Sequence, residues 1–316
     1  MNSANDANSD KNKKSILDPA TRLGSIHLSV TNKERSLRFY RDILGLREIP
    51  TSKPNVISLG SDGKEELVAL YPGANGPFPK GRSGLYHFAL AVPNLREFAR
   101  FVTRMSSLGY DHYPTDHVIS KSDYLWDPDG NGIEVYTETP EDGVFRMASN
   151  GIEIIDKNGV TRSGRDPINL DWLFGHLTPK DNWKDPLSEG TSMGHVHLHV
   201  SNLENSTDFY SNVIGYDRLR YIPSYRMADL TLSNYDPHRI ALNTWAGEGA
   251  PPAPAGSSGL LYFTIVLPSK FELDSVIERI KQSDFKLIED FEDHDGGYYV
   301  QDPSKNRIHL VIQGNT

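Results

Sequence analysis

Three side chains in this sequence have the types and the relative placement of a metal-ligand set: His87, His195 and Glu134. His87 lies five residues before Val92 and seven before Asn94, and His195 stands in the same relation to Val200 and Asn202. Glu134 closes the stretch Asp127-Pro128-Asp129-Gly130-Asn131-Gly132-Ile133-Glu134, which follows His87 within the same repeat. Two neutral imidazoles and one carboxylate on one face of an ion leave three positions open for substrate and oxygen. That arrangement is expected of non-haem Fe(II), and Mn(II) accepts the same donors.

Other candidates surround this set. His195, His197 and His199 alternate along one predicted strand and so share a face. Successive members are roughly 7 Å apart, too far for one ion to bind all three, and the spacing favours His195 over His197. His27 matches His197 in position and reads as a packed strand histidine. His238 precedes Ile240-Ala241-Leu242 and would point into the same cavity. Tyr124 lies ten residues before Glu134, and His117 seven before Tyr124. A neutral histidine can take and return a proton, and a tyrosine hydroxyl can hold an oxyanion. Equally, His117 could face solvent from a hairpin and Tyr124 could be a core aromatic.

The elements that must position these groups come in repeats. Ser83-Gly84-Leu85-Tyr86-His87-Phe88 returns as Ser258-Gly259-Leu260-Leu261-Tyr262-Phe263, and Asp127 to Glu134 returns as Asp302 to His309. Ser36-Leu37-Arg38-Phe39-Tyr40, ending at Gly45, matches Ser206-Thr207-Asp208-Phe209-Tyr210, ending at Gly215. At the ligand places, one module therefore has Tyr262 and His309 where another has His87 and Glu134. Without a carboxylate, these two read as core or cavity-lining groups.

Alternating apolar residues predict strands around Gly24–Val30, Val56–Leu59 and Glu66–Tyr71, and 3.6-residue spacing predicts helices over Lys33–Leu44 and Leu95–Leu108. Further strand signals fall at His117–Ser120, Ser122–Trp126 and Gly132–Tyr136, with a hairpin turn between the last two, where Gly and Asn would supply positive φ. The α+β fold expected is four βαβββ modules, too small to close a core singly, forming two paired-module, cup-shaped β-sheet domains. The expected division is a disordered polar tail at 1–21, an N-terminal two-module domain at 22–140, an ordered connector at 141–192 packing through Trp172 and Phe174, and a C-terminal two-module domain at 193–316.

Composition excludes several classes of function. The net charge of -9, with no basic stripe, argues against a nucleic-acid surface. The chain has no cysteine, which rules out disulfides, thiolate ligands and a cysteine nucleophile, and suits a reducing cytoplasm. No apolar run approaches the roughly 18 residues of a membrane span, and Met1 to Lys14 lacks the apolar stretch of a signal peptide. A homo-oligomer is compatible with this reading and common among soluble proteins.

The four modules, Gly194-His195-Val196-His197-Leu198-His199-Val200, Gly84-Leu85-Tyr86-His87-Phe88 and Asp127 to Glu134 resemble the vicinal oxygen chelate superfamily, which includes glyoxalase I and bleomycin-resistance proteins. Within it the chain resembles the extradiol dioxygenases of the catechol 2,3-dioxygenase type, over roughly residues 22 to 313. The resemblance implies a small aromatic diol and O2 as substrates, Fe(II) held by His87, His195 and Glu134, His238 as acid/base, and Tyr124 and His117 as hydrogen-bonding partners of the substrate oxygen. It also leaves a metal-dependent isomerase, lyase or hydrolase, or a ligand-sequestering protein, as alternatives. The best-known two-domain relatives take all three ligands from the C-terminal half. Here Tyr262 and His309 occupy those places, so the metal is expected between modules two and three.

Overall fold

The computed structural model describes residues 17–148, 151–232, 237–288 and 296–314. Each module opens on one strand, crosses by a helix and returns in three strands. Module one has β1 (Arg22–Val30), β2 (Arg47–Ile49), β3 (Ile57–Gly60) and β4 (Val68–Pro72). Module two has β5 (Gly84–Ala91), β6 (Tyr113–Asp116), β7 (Ser120–Trp126) and β8 (Gly132–Glu138). The connector carries β9 (Gly143–Ala148), β10 (Gly151–Asp156), β11 (Thr161–Arg162) and β12 (Asp166–Pro167). Module three has β13 (Ser192–His199), β14 (Asp217–Ile222), β15 (Met227–Thr231) and β16 (Ile240–Asn243). Module four has β17 (Gly259–Leu267), β18 (Leu287–Ile288), β19 (Tyr298–Gln301) and β20 (Arg307–Ile312). No helix among the described residues is long and apolar enough to cross a membrane.

The strands form two large sheets and a small one. One large sheet runs β18-β19-β20-β17-β1-β4-β3-β2, and the other β12-β6-β7-β8-β5-β13-β16-β15-β14. In each, the first strands of two modules pair antiparallel, β1 with β17 and β5 with β13. A lone module would leave that strand as an open edge, and the pairing satisfies its backbone groups.

The modules that pair are one with four and two with three, so the large sheets cross the chain division expected at residues 22–140 and 193–316. The physical reason lies in the two short inter-module links. They run side by side and bond to each other, Asn75 N–H to Gly256 O at 2.8 Å, Ser258 N–H to Gly76 O at 2.9 Å and Ser83 N–H to Pro251 O at 3.0 Å. Two adjacent crossovers carry the chain between the sheets at the same place. The chain halves are tied differently. Tyr40 in module one donates to the buried Asp127 of module two at 2.9 Å, and Tyr210 of module three to Asp302 of module four at 3.2 Å. A hydrogen bond to a buried carboxylate is worth about 1.5–3 kcal/mol, so the repeated tyrosine fastens sheet to sheet within each half.

Leu95–Leu108 is one helix as expected, capped by Asn94 and stopped by left-handed Gly109. Several other local expectations are corrected. The segment from Lys33 is an α-turn (Lys33–Leu37) that widens to a π-helix over Arg38–Ile43, and Phe209–Ile214 does the same. In the Asp127–Gly132 turn only Gly130 takes positive φ. Asn131 instead donates its backbone and side-chain amides to Asp127. Residues His117–Ile119 form a turn between β6 and β7, not the start of a strand. Of the expected tail, residues 1–16 lie outside the described residues, but Leu17 is buried and its N–H bonds Gly215 O, so order begins before residue 21. In the connector Trp172 is 41% exposed, and Leu173 is the buried anchor, with Phe174 packed against the core. Arg104 staples the connector's end to module two. Its guanidinium donates to the carbonyls of Asp42, Ile43, Trp183, Lys184 and Asp185.

Candidate metal centre

Strand register brings the three predicted ligands to one point. Ala89 on β5 stands opposite Glu134 on the parallel neighbour β8 and opposite His195 on the antiparallel neighbour β13. Residues directly opposite across a ladder share a face, and so does His87, two residues before Ala89. His87, Glu134 and His195 thus flank the small side chain of Ala89 on one face of the sheet.

The Nε2 atoms of His87 and His195 are 3.0 Å apart and each lies 3.1 Å from Glu134 Oε2. All three residues are buried, at 6%, 4% and 4% exposure. Burial alone would raise the Glu134 carboxyl, but the two imidazoles beside it hold it well below the ordinary range. Burial pushes His87 down and outweighs the upward pull of Glu134. A neutral imidazole and an ionised carboxylate are the protonation states a metal ligand needs. Two imidazole nitrogens and a carboxylate oxygen converging on one point fit a divalent cation bound by N, N and O donors.

The rest of the predicted site gathers around this point. The His238 ring centroid is 4.2 Å from that of His195. Tyr124 stands opposite Glu134 across β7 and β8, with its ring 5.7 Å from His87. His117 Nε2 is 2.9 Å from the Tyr124 hydroxyl, and its Nδ1 is 2.5 Å from the carbonyl of Gly164. His117 is half-buried, its ring lying between Tyr124 and the connector.

His197 stays out of the triad, since it stands opposite His87 and not Ala89. Its Nε2 accepts from the side-chain amide of Asn243 at 2.9 Å, while Asn243 Oδ1 accepts from His199 Nδ1 at 2.7 Å. Sequence spacing could not show this chain, because it links neighbouring strands through a residue 46 positions from His197. Gly164 was missed for the same reason.

At the matching place in the other large sheet, His27 pairs with Tyr262 and stacks on it at 3.9 Å. His27 also bonds Ser25 and Tyr71, at 2.8 and 3.1 Å. His309 stacks on Tyr299 at 4.2 Å and donates to Gly296 O. Aromatic rings pack against one another at this place, which agrees with a packing role for Tyr262 and His309.

Burial pushes His197 well below the ordinary imidazole range, and neighbouring His87 and His195 add to the shift. In the unfolded chain the same group titrates near 6.5. Below that value the unfolded state holds a proton that the folded state refuses, so stability falls as pH falls until the folded value is passed. Asp302 acts in the opposite sense. Burial raises it from 3.8 to about 6, so between these values the folded state holds the extra proton. The clean measure is a difference. His197→Gln, which keeps an acceptor toward Asn243, is expected to flatten the fall in melting temperature of the metal-free protein below about pH 6.5. Parallel melting curves for parent and variant across that range would refute this.

A family model described as the Glyoxalase/Bleomycin resistance protein/Dioxygenase superfamily matches residues 22–135 and 192–310. A catechol-2,3-dioxygenase of Bacillus subtilis (strain 168) is 33% identical over 285 residues, which are 90% of this chain and 94% of that protein. Among solved structures, one from Bacillus subtilis subsp. subtilis str. 168 superposes with TM-score 0.62 at 12% identity, covering 96% of this chain and 87% of that one. Glyoxalase I from Zea mays superposes with TM-score 0.54 at 18% identity, covering 94% of each. At those identities the structural likeness speaks to fold alone.

Proposed function

Because the chain belongs to the glyoxalase/bleomycin resistance protein/dioxygenase superfamily, we propose that it is an extradiol ring-cleaving dioxygenase, inserting O2 into a catechol-type substrate at a mononuclear Fe(II) held by His87, His195 and Glu134. The observation that carries this reading is the triad: three buried donor atoms within 4.8 Å of one another, with no fourth carboxylate joining them among the described residues. A glyoxalase-type isomerase would be expected to add a fourth side-chain ligand. The last strand of module three ends at Ala241, Leu242 and Asn243 and offers none. The name of the Bacillus subtilis relative supports the same chemistry.

Bound Fe(II) would supply the Lewis acid and electron conduit through which a diol and O2 combine. The protein's own groups do the rest. Burial, with His195 and Arg220 nearby, pushes His238 well below the ordinary imidazole range, so its ring is neutral and offers a bare nitrogen to a substrate hydroxyl. Tyr124, raised by burial and by the Glu134 charge, stays protonated and places its hydroxyl oxygen beside a substrate hydroxyl. His117 holds that hydroxyl from the far side. Cleavage next to the diol then gives a muconic semialdehyde containing both oxygen atoms of O2. The absence of cysteine agrees with a cytoplasmic protein.

Oxygen uptake by anaerobically Fe(II)-loaded protein on adding catechol, with a yellow product, is the expected result. One metal bound per chain but no uptake across several catechols would replace this reading with a metal-dependent isomerase or hydrolase.

A further inference from the structure

We infer that Gly164 of the connector is a positioning residue for His117, its carbonyl fixing the ring as the Nδ1–H tautomer, so that the inserted segment completes the Tyr124–His117 pair. The inference concerns the site proposed above and rests on that reading for its catalytic consequence, though not for its structural content.

The geometry is specific. A carbonyl oxygen can only accept, so the 2.5 Å contact between His117 Nδ1 and Gly164 O requires the proton on Nδ1. Nε2 is then bare and accepts from the Tyr124 O–H at 2.9 Å. With its own proton committed to His117, the Tyr124 oxygen is left as an acceptor, beside the Glu134 carboxylate, which also only accepts. A substrate hydroxyl can donate to it there. The other tautomer would aim N–H at the tyrosine and lone pair at lone pair across the Gly164 contact.

Both ends of this contact are held under constraint. Gly164 has φ +69, a conformation that favours glycine, and a Cβ there would come within 2.2 Å of Ile154 Cδ1 on β10, so the end of that side chain would have to shift. On the other side, Val118 is a β-branched residue at φ +71, a conformation rare for its type. Its N–H bonds Asp116 Oδ1 at 2.8 Å, and its carbonyl accepts from Lys121 Nζ at 2.8 Å and Thr139 Oγ1 at 2.9 Å. Lys121 is itself buried between Asp116 and Asp142, at 2.8 and 3.0 Å. An uncommon backbone turn, pinned by a buried lysine, thus turns His117 toward a glycine carbonyl 47 residues away. Backbone outliers held by such over-determined contacts are associated with functional groups.

The test reads the tautomer directly. Ring-15N-histidine NMR on the full chain loaded with Zn(II), a diamagnetic ion, is taken at a pH that keeps His117 neutral, with His117→Asn assigning the signal. The expected parent spectrum shows protonated Nδ1 and bare Nε2, the reverse of free histidine's preference in water. Gly164→Ala should move the ring toward the Nε2–H form, and Gly164→Ala with Ile154→Ala, which removes the clash, should move it part of the way back. In the Fe(II) enzyme, Gly164→Ala should lower kcat about tenfold with KM changed less than about twofold, as expected when a proton-handling group is misaligned. A parent His117 in the Nε2–H form, or a variant that loses turnover without any change of tautomer, would overturn the inference. If Gly164→Ala does not fold, the parent spectrum alone decides. That spectrum needs no substrate, so a failure of catechol cleavage would leave it readable.

Discussion

On the proposed function, Glu134→Ala is expected to abolish metal binding and to take ring cleavage to background. Glu134 Oε2 is the atom on which the other two donors converge, 3.1 Å from each imidazole nitrogen. It is also the only negative charge in the set, so removing it leaves a buried dication facing two neutral rings. Changing a group that merely supports a ligand typically costs about 10–100-fold in metal affinity. Loss of the ligand itself should exceed about 100-fold, with turnover falling at least as far. The measurement is iron content after gel filtration beside oxygen uptake on the same sample. Metal retained at one per chain with full uptake would place the centre elsewhere.

His238→Gln is expected to divide the two readouts that Glu134→Ala moves together. Glutamine keeps a hydrogen-bonding side chain of similar reach but cannot take a proton. His238 lies against His195 without belonging to the three convergent donors. Iron content should therefore stay at the parent level while kcat falls by about 10²–10⁴-fold, the range for loss of a positioned acid/base. KM should change little, because the missing interaction belongs to the reaction and not to binding. Full turnover in the variant would remove His238 from the mechanism, and parallel loss of iron would make it a support of the metal.

How each feature became visible follows from the range of the interactions behind it. The Asp127–Glu134 turn and its copy at Asp302 could be read directly, because turn chemistry and strand alternation act over a few residues. Duplication supplied the rest of the reading. Aligning His87 with His195, and both with Tyr262, singled out one pair of modules from within the chain itself. Where the reading failed, neighbours distant in sequence decided. Trp172 and Leu173 lie in the same short helix, and which of them is buried depends on the surface that helix meets. His117 could be read as an exposed hairpin residue because nothing near it in sequence predicts a carbonyl at Gly164.

The match to His87 in the duplicated module favoured His195 over its neighbours, and sequence alone determined the four βαβββ units and the donor types at each repeated position. Those properties follow from local periodicity and from the face each residue must share. The tertiary structure decided that modules one and four, and two and three, share sheets, a pairing set by two links that cross side by side. It also decided what supports the site, where Asn243 orders His197 and the connector meets His117. A strand's pattern fixes which way its side chains point. What they meet there depends on the strand that lies beside it.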